Sequence, residues 1–251
     1  MDLQPGSGPA RRAGDRGHYG RLTRERVLTS ALELVDRDGL PALSMRKVGA
    51  ELGVEGMALY RYANGKDALL DGLVEMLYAE LRDRLAAADQ GTDARAELHR
   101  IALATYQVSL AHPHAVPLLA TRMLELPLAR RQPVILQNYE TILGLLTAAG
   151  LDDRQAAEAY RAITAWTLGY TLTDLQAVVD NPDEPDPAFR MGLHHMPAQE
   201  FPRLRATAPA IGESGGAEGL AVGLDALLDR LLPATPPVDP GSRGGRDDRV
   251  G

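Results

Sequence analysis

The chain has 251 residues, 45% of them hydrophobic and 24% charged, enough for one large domain or two small ones with a real core. It holds no cysteine, which excludes disulfides and thiolate metal sites. No apolar run is long enough to span a bilayer and no signal-peptide pattern opens the chain, so a cytoplasmic protein without a membrane segment is expected. The net charge of −7 is unevenly spread: residues 1–66 hold 11 Arg/Lys against 8 Asp/Glu, whereas residues 67–251 hold 16 against 26. A basic front on an acidic remainder suits a DNA binder, because the acidic part repels phosphate and turns the front toward it.

Residues 1–20 are rich in Gly, Pro and Arg and read as a disordered arm. Arg11, Arg12 and Arg16 there either touch phosphate without sequence preference, enter a minor groove, or have no role. The first helix is predicted from Arg24 to Asp38, capped by Thr23, with Leu22 and Val27 as a hydrophobic staple. Val27, Ala31, Leu34 and Val35 form its inner stripe, and Gly39 ends it.

Ser44 to Lys66, SMRKVGAELGVEGMALYRYANGK, is the stretch the rest is organised around. Ser44 caps a short helix, Leu43 and Val48 staple it, and Gly53 breaks it. A second short helix is predicted at about Glu55–Tyr62. Two short helices about a glycine turn read as a helix-turn-helix whose second member enters the major groove. The bland alternative is a helical hairpin in an all-α core. Tyr60, Arg61 and Tyr62 in one turn, followed by Asn64 and Lys66, are poor residues for that core.

A fourth helix, about Lys66–Ala88, carries Leu69, Leu70, Leu73, Leu77 and Leu81 at helical spacing and is long enough to join a head to a body. Further helices are predicted at about 94–111, stopped by His112-Pro113, then 115–124, 134–149, 152–179, 198–206 and 217–232. The Pro-rich run from Asn181 to Pro187 breaks structure, and residues 233–251 read as a disordered tail.

Residues 22–73 resemble the N-terminal domain of the tetracycline-repressor (TetR) family. The resemblance rests on Asp38-Gly39-Leu40, Leu43-Ser44-Met45-Arg46, Leu52-Gly53-Val54, Ala58-Leu59-Tyr60 and Lys66-Asp67-Ala68-Leu69-Leu70. Softer likenesses at Leu119-Ala120-Thr121-Arg122, Ala148-Ala149-Gly150-Leu151, Leu168-Gly169-Tyr170 and Gly223-Leu224-Asp225-Ala226-Leu227-Leu228 extend it through the body. It implies an all-α, homodimeric, ligand-responsive regulator of transcription, most simply a repressor of a palindromic operator. The expected divisions are a disordered arm at 1–20, a three-helix helix-turn-helix domain at 21–67, a larger helical ligand-binding and dimerisation domain at 68–232, and a tail at 233–251. The long helix and the last helix are expected to pair with their mates in a four-helix bundle.

The resemblance gives Arg46 a contact with the operator. Lys47 and Lys66 are expected on phosphate, Tyr60 and Tyr62 on phosphate and sugar, and Met57 and Ala58 near thymine methyls. Arg61 is the candidate for a bidentate guanine contact, worth about 1–3 kcal/mol of discrimination. Gly56 stands where relatives often carry a polar reader, and Gly49 replaces a usual alanine at a helix-propensity cost of about 1 kcal/mol. Fewer base contacts and more reliance on DNA shape are expected.

The matching repressors hold a tetracycline–magnesium chelate with His, Gln and Glu side chains, but this chain has Leu118, Ile142, Ala165 and Thr173 there. A small, largely apolar effector is expected instead, with Tyr106, Leu118, Thr121, Arg122, Tyr139, Ile142, Trp166 and Tyr170 as lining candidates. No cofactor is expected. His112, before a proline, is expected to cap carbonyls, and His194-His195 lacks a third metal ligand at metal spacing. An all-α enzyme is the rival reading, but GxSxG, HExxH and phosphate-loop motifs are absent from the sequence. A helical dimer acting only on other proteins is the second rival; salt-sensitive DNA binding separates it from the first reading.

Overall fold

The computed structural model describes residues 22–125, 127–180 and 199–233, together with 192, 195 and 197. The proposed arm at 1–20, the Asn181–Pro187 break, His194 and nearly all of the tail lie outside the described residues. The helices are α1 (Arg24–Asp38), α2 (Met45–Glu51), α3 (Lys66–Ala87), α4 (Ala94–Ala111), α5 (Val116–Glu125), α6 (Pro133–Ala148), α7 (Asp153–Asp180), α8 (Pro202–Gly212) and α9 (Gly216–Leu231). There is no strand among the described residues.

Local chemistry sets the boundaries. The Thr23 hydroxyl accepts from the Arg26 amide, Ser44 Oγ from the Lys47 amide, and Asp93 from the Ala96 amide, so α1, α2 and α4 each begin on a side-chain cap. Asp152 and Gln155 close a reciprocal box at the start of α7: each side chain accepts from the other's amide, at 2.8 and 3.0 Å. Gly53, at φ 68°, makes the turn after α2, a backbone conformation that costs a side chain dearly.

The short helix expected over about 55–62 is present as a 3-10 helix, Gly56–Arg61. Its backbone is pressed against α2. A Cβ on Gly49 would lie 2.8 Å from the Val54 carbonyl oxygen, and one on Gly56 would lie 3.2 Å from the Met45 carbonyl. Two glycines facing across the turn allow this approach, and the short element stays tightly wound.

Two apolar clusters fill the interior. The first joins α1, α2, the 3-10 helix and α3 to Ala104 and Val108 of α4, Leu118 and Leu119 of α5, and Ile135 of α6. The second joins α4, α6, α7 and α9 through Leu98, Ile142, Leu146, Ile163, Leu220, Leu224 and Leu228. Leu85, near the end of α3, packs against both. Each fully buried Leu or Val contributes about 1.5–3 kcal/mol, so head and body are held by one continuous apolar contact rather than by a linker. At about 1.5 Å per residue, α3 is a rod of about 33 Å running from the head into the body.

Candidate functional site

The exposed face of the head carries the cations. Arg46, Lys47, Tyr60, Arg61 and Lys66 are exposed, and Met57 is 77% exposed, a large value for an apolar side chain. Ala58 and Tyr62 are half-buried beneath them, and Leu59 and Ala63 anchor the element in the core. The Arg61 guanidinium lies 5.4 Å over the Tyr62 ring, which holds it outward. Other head arginines are neutralised: Arg24 binds Glu75 at 2.7 Å, and Arg37 binds Asp38 and Glu51 at 3.0 and 2.7 Å. Arg46, Arg61 and Lys66 have no carboxylate partner among the described residues. Among the described head residues, the exposed cations without a carboxylate partner thus include Arg46 of α2, Arg61 of the 3-10 helix and Lys66 at the start of α3.

A chamber with a cavity volume of about 50 Å³, continuous with solvent, lies in the body between the two clusters. Leu77, Tyr78 and Leu81 of α3 form one wall, with Leu98, Ile101, Ala102, Thr105 and Val108 of α4 beside them. Leu119, Asn138, Ile142, Tyr160, Ile163, Thr164, Thr167 and Leu168 complete the lining. None of these side chains is charged. Burial pushes the Tyr78 and Tyr160 hydroxyls well above the ordinary phenol value, so both stay neutral proton donors.

The lining candidates from sequence are only partly brought together. Ile142 lines the chamber. Tyr139 stands behind it, its ring 4.7 Å from that of Tyr160, and it accepts a short hydrogen bond from Arg131. Leu118 is ordinary core. Thr121 is exposed and donates to the Pro117 carbonyl. Arg122 is turned to α3, where it binds Asp71 at 2.5 Å. Trp166 and Tyr170 are used by α9, and Tyr106 by Asp174 of α7, instead of the chamber. Tyr106 donates to Asp174 at 2.6 Å, Trp166 to the Leu220 carbonyl at 3.1 Å and Tyr170 to the Gly216 carbonyl at 2.8 Å. Burial, with the Asp174 carboxylate, pushes Tyr106 up to about 12. Large aromatics read as pocket walls because a sequence does not show which helix covers them.

Sequence reasoning missed Asn138, Thr105, Thr164 and Thr167. The three threonines lie on apolar helix faces and look like core; a polar residue at each turn of such a face was the available signal. His112 also differs from expectation. It does not cap carbonyls: its Nδ1 lies 2.7 Å from Asp36 Oδ2 and its Nε2 2.9 Å from Glu80 Oε2, because α1 and α3 bring those carboxylates to the end of α4.

Comparison with known proteins agrees with this arrangement. Residues 27–73 match the model for bacterial regulatory proteins of the tetR family, and residues 87–232 match the tetracyclin repressor-like C-terminal domain. The chain is 32% identical over 164 residues to the HTH-type transcriptional repressor DrrR1 of Streptomyces coeruleorubidus, covering 65% of this chain and 58% of that relative's length. It is 30% identical to the tetracycline repressor protein class D of Escherichia coli, over 72% of this chain and 82% of the relative. A crystal structure of a possible TetR family transcriptional regulator from Streptomyces coelicolor A3(2) superposes with a TM-score of 0.67 at 28% identity, covering 83% of this chain and 98% of that one. No helix among the described residues is long and apolar enough to cross a membrane. With a basic helix-turn-helix face at one end and a helical ligand-binding body at the other, the chain belongs to the TetR family of ligand-responsive, DNA-binding transcriptional repressors, which are not enzymes.

Proposed function

We propose that the protein acts as a homodimer in the cytoplasm, at the nucleoid, where it grips a palindromic operator and leaves it when a small, largely apolar effector fills the chamber. The exposure of Arg46, Arg61 and Lys66 in and beside the helix-turn-helix, each without a carboxylate partner among the described residues, carries the DNA half of this reading. Lys47, Lys66, Tyr60 and Tyr62 hold phosphate and sugar, Arg46 and Arg61 reach bases, and Met57 and Ala58 meet thymine methyls. The uncharged chamber supports an effector that is not a metal chelate. Of the four positions that replace the chelating side chains, Leu118 is core, Ile142 lines the chamber, and Ala165 and Thr173 are exposed.

Dimerisation is supported by the outer side of α7 and α9. Ala165, Gly169 and Thr173 form an exposed, small-residue face on α7, and Val222 of α9 is 64% exposed. A second copy laid there covers apolar surface that a monomer leaves wet. The acidic body and the long α3 then supply the mechanism. An effector that prefers one spacing of the two α3 rods shifts the population away from the form that fits successive major grooves.

The test is binding of the purified protein to the fragment upstream of its own gene. Arg61→Ala/Lys66→Ala is expected to lower affinity at least tenfold and to flatten the salt dependence. Unchanged affinity in the double variant overturns the assignment of this face.

A further inference from the structure

The chamber wall holds two polar side chains that the protein itself leaves unused. Most polar groups on the inner helix faces satisfy themselves. The hydroxyls of Thr105, Ser109 and Thr171 each donate to the carbonyl four residues back, at 2.8, 2.9 and 2.7 Å. Tyr160 and Thr164, one turn apart on α7, are hydrogen-bonded to each other. Thr167 of α7 lines the same wall and is only 6% exposed, yet its hydroxyl has no hydrogen-bond partner among the described residues. Asn138 of α6 lines the chamber as well, half-buried, and its amide has no partner among the described residues either.

Neither group is sealed in protein. Among the described residues, Asp36 Oδ1 is the one buried side-chain polar atom that lacks both a partner and accessible surface. The Thr167 hydroxyl therefore keeps some surface, and on a residue so buried that surface opens into the chamber it lines. Asn138 stands one turn before Ile142 and one after Ile135, both buried, on the inward face of α6. An asparagine amide donates through nitrogen and accepts through oxygen, and a threonine hydroxyl does both. A ligand that matches these atoms keeps their hydrogen bonds, whereas one that displaces water without matching them strands both. None of the lining side chains is charged, so a carboxylate or an ammonium taken from water meets no counter-ion there.

Resting on the chamber reading above, we infer that the effector is a neutral molecule whose apolar skeleton carries a hydrogen-bond donor and an acceptor side by side, as a carboxamide, a lactam or a hydroxy ketone does. The polar edge lies on Asn138 and Thr167. The skeleton lies on the apolar lining, Leu77, Leu81, Ile101 and Ile142 among it, and continues into the solvent opening, since a cavity of about 50 Å³ takes in little more than the polar head. Acids and amines of the same skeleton are turned away by the loss of their hydration. A ketone that only accepts is held more weakly, because it offers no donor to the amide oxygen.

Three probes of one shape test this on the full-length protein: hexanamide, 2-heptanone and hexanoate share a pentyl-carbonyl skeleton that ends in an amide nitrogen, a methyl group or an anionic oxygen. Dissociation constants are measured by ligand-observed NMR, and each variant is checked for native helicity by circular dichroism. The native protein is expected to bind hexanamide about tenfold more tightly than 2-heptanone, with hexanoate the weakest. Asn138→Leu and Thr167→Val keep the side-chain size and remove the polar atoms. Asn138→Leu is expected to weaken hexanamide about tenfold and 2-heptanone by about twofold or less, and Thr167→Val to weaken hexanamide about threefold. Ile142→Trp, and with a smaller group Ala102→Leu, fill the chamber and are expected to weaken all three probes. If hexanoate binds as tightly as hexanamide, or if Asn138→Leu and Thr167→Val leave hexanamide unchanged while the filling variants still weaken it, the neutral polar edge is overturned and the chamber stands. If neither filling variant weakens any probe, or if no probe binds the native protein, the chamber is not the ligand site and the effector half of the proposed function fails with it.

Discussion

Gly49 shows how far a single atom decides local stability. Judged by helix propensity alone, Gly49→Ala should stabilise α2 by about 1 kcal/mol. The turn argues the opposite. The added Cβ would sit 2.8 Å from the Val54 carbonyl oxygen and 3.0 Å from the Gly56 amide nitrogen, and both are backbone atoms. Neither moves without displacing the reading element, and overpacking of this kind costs about 1–3 kcal/mol. Gly49→Ala is therefore expected to lower the melting temperature by several degrees and to weaken DNA binding, read by thermal denaturation and by titration with the promoter fragment. An increase in melting temperature would show that propensity prevails and that the close approach is slack.

At the scale of elements, the pairing of α7 with α9 depends on a ladder of small residues. Gly215, Gly219 and Gly223 recur every fourth residue and accept the α7 aromatics. A Cβ on Gly219 would lie 2.3 Å from the Tyr170 hydroxyl, and one on Gly223 would lie 1.9 Å from Trp166 Cζ2. The rings of Trp166 and Tyr170 lie 5.4 Å apart, each pinned by a hydrogen bond to an α9 carbonyl. Asp174 continues the stripe and accepts from Ser214 and the Gly215 amide at 2.9 Å each. At the other end, Arg95 of α4 binds Asp225 and Asp229 of α9 at 2.8 and 2.7 Å. Gly223→Ala forces the indole out of its slot, since a rigid ring has no flexible end to bend away. Its expected effects are a loss of about 1–3 kcal/mol and a weaker dimer, visible as a concentration-dependent shift to monomer in analytical ultracentrifugation. Val222→Ala, one residue away on the exposed side, is expected to leave the monomer's fold intact and weaken only the association.

Across the whole molecule, His112 ties head to body. It ends α4, which lines the chamber, and its ring sits between Asp36 of α1 and Glu80 of α3. His114 reinforces the joint, its Nδ1 lying 2.9 Å from the Asp36 carbonyl oxygen. Burial pushes the Glu80 carboxyl up, but hydrogen bonds from Arg84 and His112 prevail and hold it below its ordinary value of 4.5. A lowered carboxylate contributes stability that is complete above the ordinary value and is lost as pH falls through the lowered one. The melting temperature of the native protein should accordingly fall more steeply below pH 4.5 than that of Glu80→Gln. His112→Ala leaves Asp36 and Glu80 facing an empty place. It is expected to lower stability at neutral pH and to blunt the response of DNA binding to an effector. Equal effector response in His112→Ala would remove this joint from the signalling route.

Most of the helices and two of their caps were legible in the chain because they are written locally. Thr23 and Ser44 cap within three residues of themselves, and Arg46, Arg61 and Lys66 are exposed. The identity of the chamber wall was not legible. Whether Trp166 lines a cavity or fills a slot beneath Gly223 depends on a contact across more than fifty residues of chain, and one sequence carries no record of that pairing. The same holds for the close approach of the 3-10 helix to α2, which Gly49 and Gly56 permit and which exists only once the two are laid together. Hydrogen bonds to near neighbours are set by residue type and spacing. Which apolar face meets which, and what space is left between them, is set by packing, and that exists only once the helices have come together.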